Sequence, residues 1–214
     1  MKKDLKDCTF IIPIRIESTD RLRNVITILC YLNSNFDTNI IVKEVDKESI
    51  FDKDALPQVE EYCGDVSNIK YIFEKSDNPI FLREKILNEM LVLTSTNIVV
   101  NYDCDVVFPV TSYLEAYRKI MENESDMIYP YGEGPWQYKI FCDDQMVSDF
   151  LNNDYDFLNP IYKRVPIKDA VEMYKDCDIV AFSVYVWNNN ISCLLYTSDA
   201  ADEGLGVDLG GRRI

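Results

Sequence analysis

The sequence has no histidine among its 214 residues, and this absence removes several kinds of chemistry at once. Ser-His-Asp and Cys-His catalysis, imidazole metal sites and histidine acid–base catalysis all require that side chain. The seven cysteines form no C-x-x-C pair, so zinc knuckles and thioredoxin-like redox motifs are poor fits. Any catalysis must therefore rest on carboxylates, lysine, tyrosine, cysteine or a metal held by oxygen.

Basic residues are scarce as well. The chain has 22 Lys and Arg against 37 Asp and Glu, a formal net charge of -15 at pH 7. So acidic a surface repels phosphate backbones, and we expect no nucleic-acid partner. No run approaches the about 18 apolar residues of a membrane-spanning helix, and no signal-peptide core follows the N-terminus. We expect a cytoplasmic protein without a transmembrane segment; peripheral association with a membrane stays open.

Short apolar runs that predict strands alternate with amphipathic stretches that predict helices. The predicted strands lie at 8–14, 39–45, 69–74, 97–102, near 126–129 and at 178–187. The predicted helices begin after 18–20, at 55, at Asn78-Pro79, at Ser112 and near 143 and 167, with a turn-rich stretch at 130–138. Nearly continuous apolar strands separated by helices predict an α/β fold: three α/β/α layers around a mostly parallel central sheet.

The last residues differ in character from the rest of the chain. From Cys193 the sequence reads CLLYTSDAADE, which matches one translated frame of a transposase adapter used in sequencing libraries. We therefore expect residues 193–214 to be a non-native or disordered tail. Residues 1–192 would then be an incomplete domain, truncated at its C-terminal side. A genuine Gly-containing tail is the alternative.

Two carboxylates follow the most apolar predicted strand. The motif D-x-D occurs four times, at 52–54, 103–105, 154–156 and 176–178, but only Asp103 and Asp105 directly follow such a strand. In an extended chain residues i and i+2 share a face, and ligands bind at the carboxyl ends of strands in open α/β sheets. Two acids placed there suit Mn²⁺ or Mg²⁺ together with phosphate oxygens.

Further polar and basic residues follow the other predicted strands. Arg and Lys at strand ends and helix N-termini favour a diphosphate, and an acid that ends a second strand can accept hydrogen bonds from a base or ribose. The candidates for binding a nucleotide are Pro13, Arg15, Glu44, Asp46, Phe81, Arg83, Lys85 and Asn88. Each of Arg15, Arg83 and Lys85 alone would be interpreted as a surface charge. Their position together at consecutive strand ends favours a nucleotide-binding site.

These segments together resemble a known family. The stretches IIPIRIESTDRL (11–22), FLREKILNEM (81–90) and NYDCDVVFP (101–109) are similar to the GT-A nucleotide-sugar glycosyltransferases. The nearest likeness is to the β-1,4-galactosyltransferase group and its bacterial family-2-like relatives, over residues 8–130 and in patches to about 190. The resemblance implies a donor-binding portion of an enzyme of polysaccharide biosynthesis, with a saccharide or lipid-linked acceptor.

The resemblance also implies roles for individual residues. Pro13 and Arg15 would line the nucleotide, and Phe81 and Arg83 would contact its base and phosphates. Asp103 would contact the sugar nucleotide, with Asp105 as the metal ligand. The family's downstream Gly/Trp/acidic segment, which supplies the acceptor site and the catalytic carboxylate, has no counterpart, so no catalytic base is assigned.

The expected reaction is metal-dependent transfer of a sugar from a UDP- or GDP-sugar to a hydroxyl acceptor. One alternative is a sugar-phosphate nucleotidyltransferase, although that class would need a Gly-rich loop after the first strand, where Pro13 to Glu17 has no glycine. The other alternative is a fragment that binds a nucleotide sugar without turnover.

Overall fold

The structure, a computed structural model, describes residues 1–128, 137–141, 144–152, 163–166 and 182–185, and for the strands at 137–141, 163–166 and 182–185 it describes the backbone. The described elements are β1 (Lys3–Ile14), α1 (Thr19–Asn35), β2 (Phe36–Asp46), a π-helical turn (Phe51–Ala55), α2 (Leu56–Cys63), β3 (Ile69–Lys75), α3 (Arg83–Leu91), β4 (Ile98–Asn101), β5 (Val106–Val107), α4 (Val110–Met121), β6 (Gln137–Phe141), α5 (Asp144–Asn152), β7 (Lys163–Pro166) and β8 (Phe182–Tyr185).

The central sheet has four strands in the order β3-β2-β1-β4, and every neighbouring pair is parallel. This confirms the predicted α/β fold with a mostly parallel sheet. A second sheet has the order β5-β8-β6-β7, in which β5 pairs parallel with β8 and the other pairs are antiparallel. Its β8 lies within the strand that the sequence predicts at 178–187.

The strands of the central sheet have apolar side chains on both faces, and helices cover both faces. One face of β1, with Phe10, Ile12 and Ile14, packs in a core with α1, α2 and α4. The other face, with Ile11, packs against α3 in a second apolar cluster. This arrangement gives the three layers expected from nearly continuous apolar strands.

Pro13 lies in the central strand β1, where a residue without an N–H would normally break the ladder. The carbonyl of Ile11 accepts the N–H of Tyr102 at 3.1 Å, so this side of β1 faces β4. Pro13, two residues further, faces the same side but lies beyond the last paired residue of β4, Asn101. Proline is therefore tolerated at the point where β4 has ended.

Two predicted helix starts are wrong. Helix α4 begins at Val110 after Pro109, so Ser112 lies inside the helix with its Oγ buried, and it forms no capping box. Helix α3 begins at Arg83, whereas the Asn78 side chain accepts the N–H of Ile80 at 3.0 Å in the loop before it. In both places the local sequence matches a cap, but Pro109 directly precedes α4, and the Asn78 side chain caps a turn of the loop before α3.

Other predictions concern stretches towards the C-terminus. Residues 126–128 form no strand, and the predicted strand near 126–129 is not present there. The helix predicted near 143–151 is confirmed as α5. The remainder of the turn-rich stretch before β6, the helix predicted at 167–175 and the tail at 193–214 lie outside the described residues.

A buried lysine links the sheet to α3. Lys43 of β2 is 7% exposed, and its Nζ forms ion pairs with Glu74 of β3 and Glu89 of α3. Burial lowers the pKa of Lys43, but the two carboxylates outweigh it and the net pKa is raised. The hydrogen bond from Lys43 in turn lowers the pKa of Glu89 below 4.5.

This ion pair predicts an acid-dependent part of the stability. A carboxylate whose folded pKa is depressed contributes stability above its unfolded pKa, near 4.5, and that contribution is lost as the pH falls through the lower folded value. The free energy of unfolding of Glu89→Gln should therefore depend less on pH below about pH 5 than that of the wild type. We expect the difference to be less than about 1 kcal/mol, because Glu89 is more than a third exposed. Urea unfolding from pH 3 to 7 measures this. The exposed Glu60→Gln is the control. The prediction would be contradicted if the free energy of unfolding changed equally with pH in Glu89→Gln and in the wild type.

Candidate functional site

Three segments meet at the carboxyl edge of the central sheet. They are the residues after β1, the start of α3 with the loop before it, and the residues after β4. Strands β1 and β4 are parallel neighbours in which Ile11 lies opposite Asn101, so both chains leave the sheet at the same edge. This edge is where open α/β sheets bind ligands.

Arg15 follows β1 and is 7% exposed. Its Nε donates to the carbonyl of Val45 at 2.9 Å and its Nη1 donates to the carbonyl of Pro79 at 3.2 Å. Its guanidinium carbon lies 5.3 Å from the centre of the Phe81 ring, a cation–π distance. Among the described residues no carboxylate forms an ion pair with Arg15. Buried cations are normally paired, so this guanidinium leaves positive charge for an anion at the sheet edge.

Arg83, the first residue of α3, binds the chain after β4. Its Nη2 donates to Asp103 Oδ1 at 2.7 Å and to Asn101 Oδ1 at 3.1 Å. The Arg83 side chain is largely buried, whereas the Asp103 side chain is about half exposed. The backbone N–H of Arg83 donates to the carbonyl of Phe81 at 2.9 Å. Direct contacts therefore join the predicted residues Arg15, Phe81, Arg83 and Asp103.

Asp103 and Asp105 belong to a segment that we call the acidic loop, residues 102–108. Strand β4 ends at Asn101, and residues 104 and 105 form a turn. The argument that residues i and i+2 share a face in an extended chain therefore does not apply here. Asp105 lies in this turn and is half-buried.

Cys104, between the two acids, is not a nucleophile in this arrangement. Burial, with a smaller contribution from the negative charges of Asp105 and Asp103, raises the pKa of its thiol to about 12, against the opposing positive charge of Arg21. The thiol is therefore protonated at neutral pH, and the uncharged form is inert. The influence of Arg21 also places a third arginine, from the first turn of α1, near the acidic loop.

The acidic loop does not form a metal site by itself. In the part of the chain that the structure describes, no group of three or more Cys, Asp or Glu side chains could hold a cation. One oxygen of Asp103 is already bound by Arg83. Mg²⁺ and similar ions are commonly held by one or two carboxylates together with substrate phosphates. The two acids therefore fit a cation shared with a diphosphate, and they do not fit a cation held by protein alone.

Glu44 was predicted at the nucleotide site, but it points into the core. Its residue is fully buried, and its carboxylate accepts the N–H groups of Ile50 and Phe51 at 3.1 and 3.2 Å and the hydroxyl of Tyr71. These partners belong to the turn after β2 and to β3. In this structure Glu44 fixes that turn and is not presented to a ligand.

The remaining predicted residues vary in their distance from the edge cluster. Pro13 is buried inside β1, two residues before Arg15. Asp46 ends β2, where its Oδ1 accepts the N–H of Lys47 at 2.7 Å. Lys85 and Asn88 lie on the exposed side of α3, and Lys85 pairs with Glu89. None of these four contacts Arg83 or Asp103 directly in the described hydrogen bonds.

Sequence reasoning missed two features of the site. Asn101 shares the guanidinium of Arg83 with Asp103, and it could have been found as the polar last residue of an apolar strand. The carbonyls that hold Arg15 come from Val45 and Pro79, 30 and 64 residues away. Backbone acceptors carry no signal in the sequence, so this anchoring required the fold.

Comparisons with known proteins add no family assignment. No protein-family model matches the chain, and no curated protein matches it. Within the described residues, no helix combines the length and hydrophobicity that crossing a bilayer requires.

Proposed function

We propose that this chain binds a nucleotide-diphosphate sugar at the carboxyl edge of its central sheet, as the donor-binding part of a metal-dependent GT-A glycosyltransferase. The reaction is transfer of the sugar from a UDP- or GDP-type donor to a hydroxyl acceptor. The observation that carries the proposal is the buried guanidinium of Arg15, which has no carboxylate partner among the described residues. It lies at the edge where Arg83 meets Asp103.

The basic residues supply the contacts that a diphosphate needs. Two carbonyls orient the guanidinium of Arg15 without neutralising its positive charge. Its remaining N–H groups therefore have a fixed direction in which they can donate to a phosphate. Arg83 stands at the first position of α3, where the helix dipole adds partial positive charge. A diphosphate that departs from the sugar gains negative charge, and fixed cations at this edge stabilise that charge.

The acids and the aromatic ring supply the other contacts. Asp103 and Asp105 are the residues that would hold Mn²⁺ or Mg²⁺, which when bound neutralises charge on the diphosphate. Phe81, whose ring lies beside the guanidinium of Arg15, provides a flat apolar surface next to the phosphate contacts. A planar base can stack on such a surface.

The proposal is tested by calorimetry on the full chain with UDP, GDP, UMP and inorganic phosphate, each with and without Mn²⁺. We expect UDP or GDP to bind in a metal-dependent manner, at least about tenfold more tightly than UMP, because the second phosphate reaches the arginines and shares the cation. Absence of binding by both diphosphates at millimolar concentration would overturn the proposal. A parallel assay of UDP-sugar and GDP-sugar hydrolysis separates turnover from binding alone.

Replacing Arg15 by glutamine is expected to weaken UDP binding by about 10- to 100-fold, because a charge-assisted contact in a largely buried position is lost. Calorimetry measures the change, and the thermal midpoint shows whether the variant is folded. Lys6→Gln is the matched control, since Lys6 is exposed near the start of β1 at the opposite edge. Equal losses in both variants would mean that net charge, and not the position of Arg15, governs binding.

A further inference from the structure

The acidic loop is fastened to the core by three buried tyrosine hydroxyls. The Tyr102 hydroxyl donates to the carbonyl of Val106 at 2.6 Å, and the Tyr31 hydroxyl donates to the carbonyl of Phe108 at 2.6 Å. The N–H of Phe108 donates to the Tyr113 hydroxyl at 3.2 Å. Polar backbone groups of the acidic loop are thus satisfied by side chains from the loop itself, α1 and α4.

The hydroxyls of Tyr102 and Tyr113 are also hydrogen-bonded to each other, and the number of protons fixes the direction of that bond. Tyr102 has one proton, and the carbonyl of Val106 can only accept it. Tyr113 must therefore donate its own proton to Tyr102 while it accepts from the N–H of Phe108. The result is an ordered chain from Phe108 through Tyr113 and Tyr102 to Val106.

The bond from Tyr102 to Val106 closes a loop of the polypeptide chain that contains both acids. The chain of hydrogen bonds starts and ends on the backbone of the acidic loop, and Asp103 and Asp105 lie between Tyr102 and Val106 in sequence. Tyr102 and Tyr113 are 3% and 6% exposed. Burial raises the pKa of both hydroxyls above the ordinary tyrosine value of 10, so both remain protonated at neutral pH.

Packing alone does not require these hydroxyls. The rings of Tyr102 and Tyr113 pack with Phe10 and Phe108 at centroid distances of 5.4 to 6.2 Å, contacts that phenylalanine makes equally well. A buried hydroxyl costs free energy unless it forms a hydrogen bond. Tyrosine is therefore favoured over phenylalanine here only through the hydrogen bonds of its oxygen. What it binds is the backbone of the acidic loop.

We propose that Tyr113 is a positioning residue that holds the acidic loop in the conformation in which Asp103 and Asp105 receive a cation and a diphosphate. The inference rests on the proposed function. Tyr113 acts through Tyr102 and through the backbone of Phe108, and it does not touch the ligand. Its contribution is to fix the turn at 104–105, which no regular strand pairing fixes.

The test compares Tyr113→Phe with Tyr117→Phe in the full chain. Tyr117 lies one turn further along α4, packs against the same core, and donates no hydrogen bond to any residue that the structure describes. Hydrogen exchange reports on the Phe108 amide, and calorimetry gives the UDP dissociation constant with and without Mn²⁺. Both are measured well below the thermal midpoint of each variant, so that unfolding does not contribute.

We expect Tyr113→Phe to accelerate exchange of the Phe108 amide by at least about tenfold, since that N–H loses a buried acceptor. We also expect it to weaken UDP binding several-fold in Mn²⁺ and to leave metal-free UDP binding unchanged. Tyr117→Phe should change neither quantity. The split between metal-dependent and metal-free affinity is the readout that a purely structural role would not alter.

Each other outcome overturns a specific claim. Unchanged UDP affinity in Tyr113→Phe, with a wild type that binds UDP and Mn²⁺ as proposed, overturns the positioning role alone. An unchanged exchange rate at Phe108 also overturns it. A wild type that binds no diphosphate with Mn²⁺ overturns the proposed function, and the positioning role falls with it.

Discussion

Replacing Asp105 by asparagine is expected to remove the metal dependence of UDP binding and to raise the dissociation constant in Mn²⁺ by about 100-fold, or about 3 kcal/mol. Asparagine keeps the size of the side chain and one oxygen, but it removes the negative charge that a divalent cation requires. Asp103 would then be the single remaining carboxylate for the cation, and one of its oxygens is shared with Arg83 at 2.7 Å. Calorimetry with and without Mn²⁺ measures the effect.

The control for Asp105→Asn is Asp37→Asn. Asp37 is the second residue of β2, at the amino edge of the sheet, and it pairs with Lys6 and is about half exposed. Its replacement therefore changes the net charge equally at a distant place. Metal-dependent UDP affinity should be unchanged in this control. If Asp105→Asn keeps both its affinity and its metal dependence, Asp105 is not a metal ligand, and the acidic loop has another role.

The layout of the fold could be predicted from the sequence because it depends on apolar periodicity. Strands such as β1 and β4 contain nearly continuous apolar runs separated by amphipathic stretches. This pattern allows few arrangements besides a parallel sheet between helices. Since parallel strands all end at one edge, the order of the chain already brought Arg15 and Asp103 to the same side of the sheet. Their juxtaposition therefore needed no knowledge of side-chain contacts.

The direction of individual polar side chains could not be predicted in the same way. Lys43 and Glu44 are adjacent in β2, so they point to opposite faces of the sheet. Both faces are covered by helices, and each charge is buried with partners from distant segments. The sequence shows an acid near a strand end, but whether it faces a ligand or the core depends on contacts such as that between Glu44 and Tyr71.

Glu44 gives the largest expected effect on stability. Glu44→Ala should lower the free energy of unfolding by about 3–5 kcal/mol, because one buried N–H, one partly buried N–H and one hydroxyl lose their acceptor together. The N–H groups belong to Ile50 and Phe51, at 3.1 and 3.2 Å from the carboxylate. Denaturant unfolding measures the loss, which is a large part of the about 5–15 kcal/mol that typical domains possess.

Two milder variants separate this role from ligand binding. Tyr71→Phe removes one of the three donors to Glu44 and should cost about 1 kcal/mol, whereas Glu44→Gln keeps one acceptor oxygen and should fall between it and Glu44→Ala. If Glu44 instead accepted hydrogen bonds from a nucleotide, as its position at a strand end suggested, Glu44→Gln would weaken UDP binding and leave stability almost unchanged. The structure predicts the opposite. The carboxylate of Glu44 is already hydrogen-bonded by the turn after β2, so it is not available to a ligand at the edge where Arg15 and Arg83 lie.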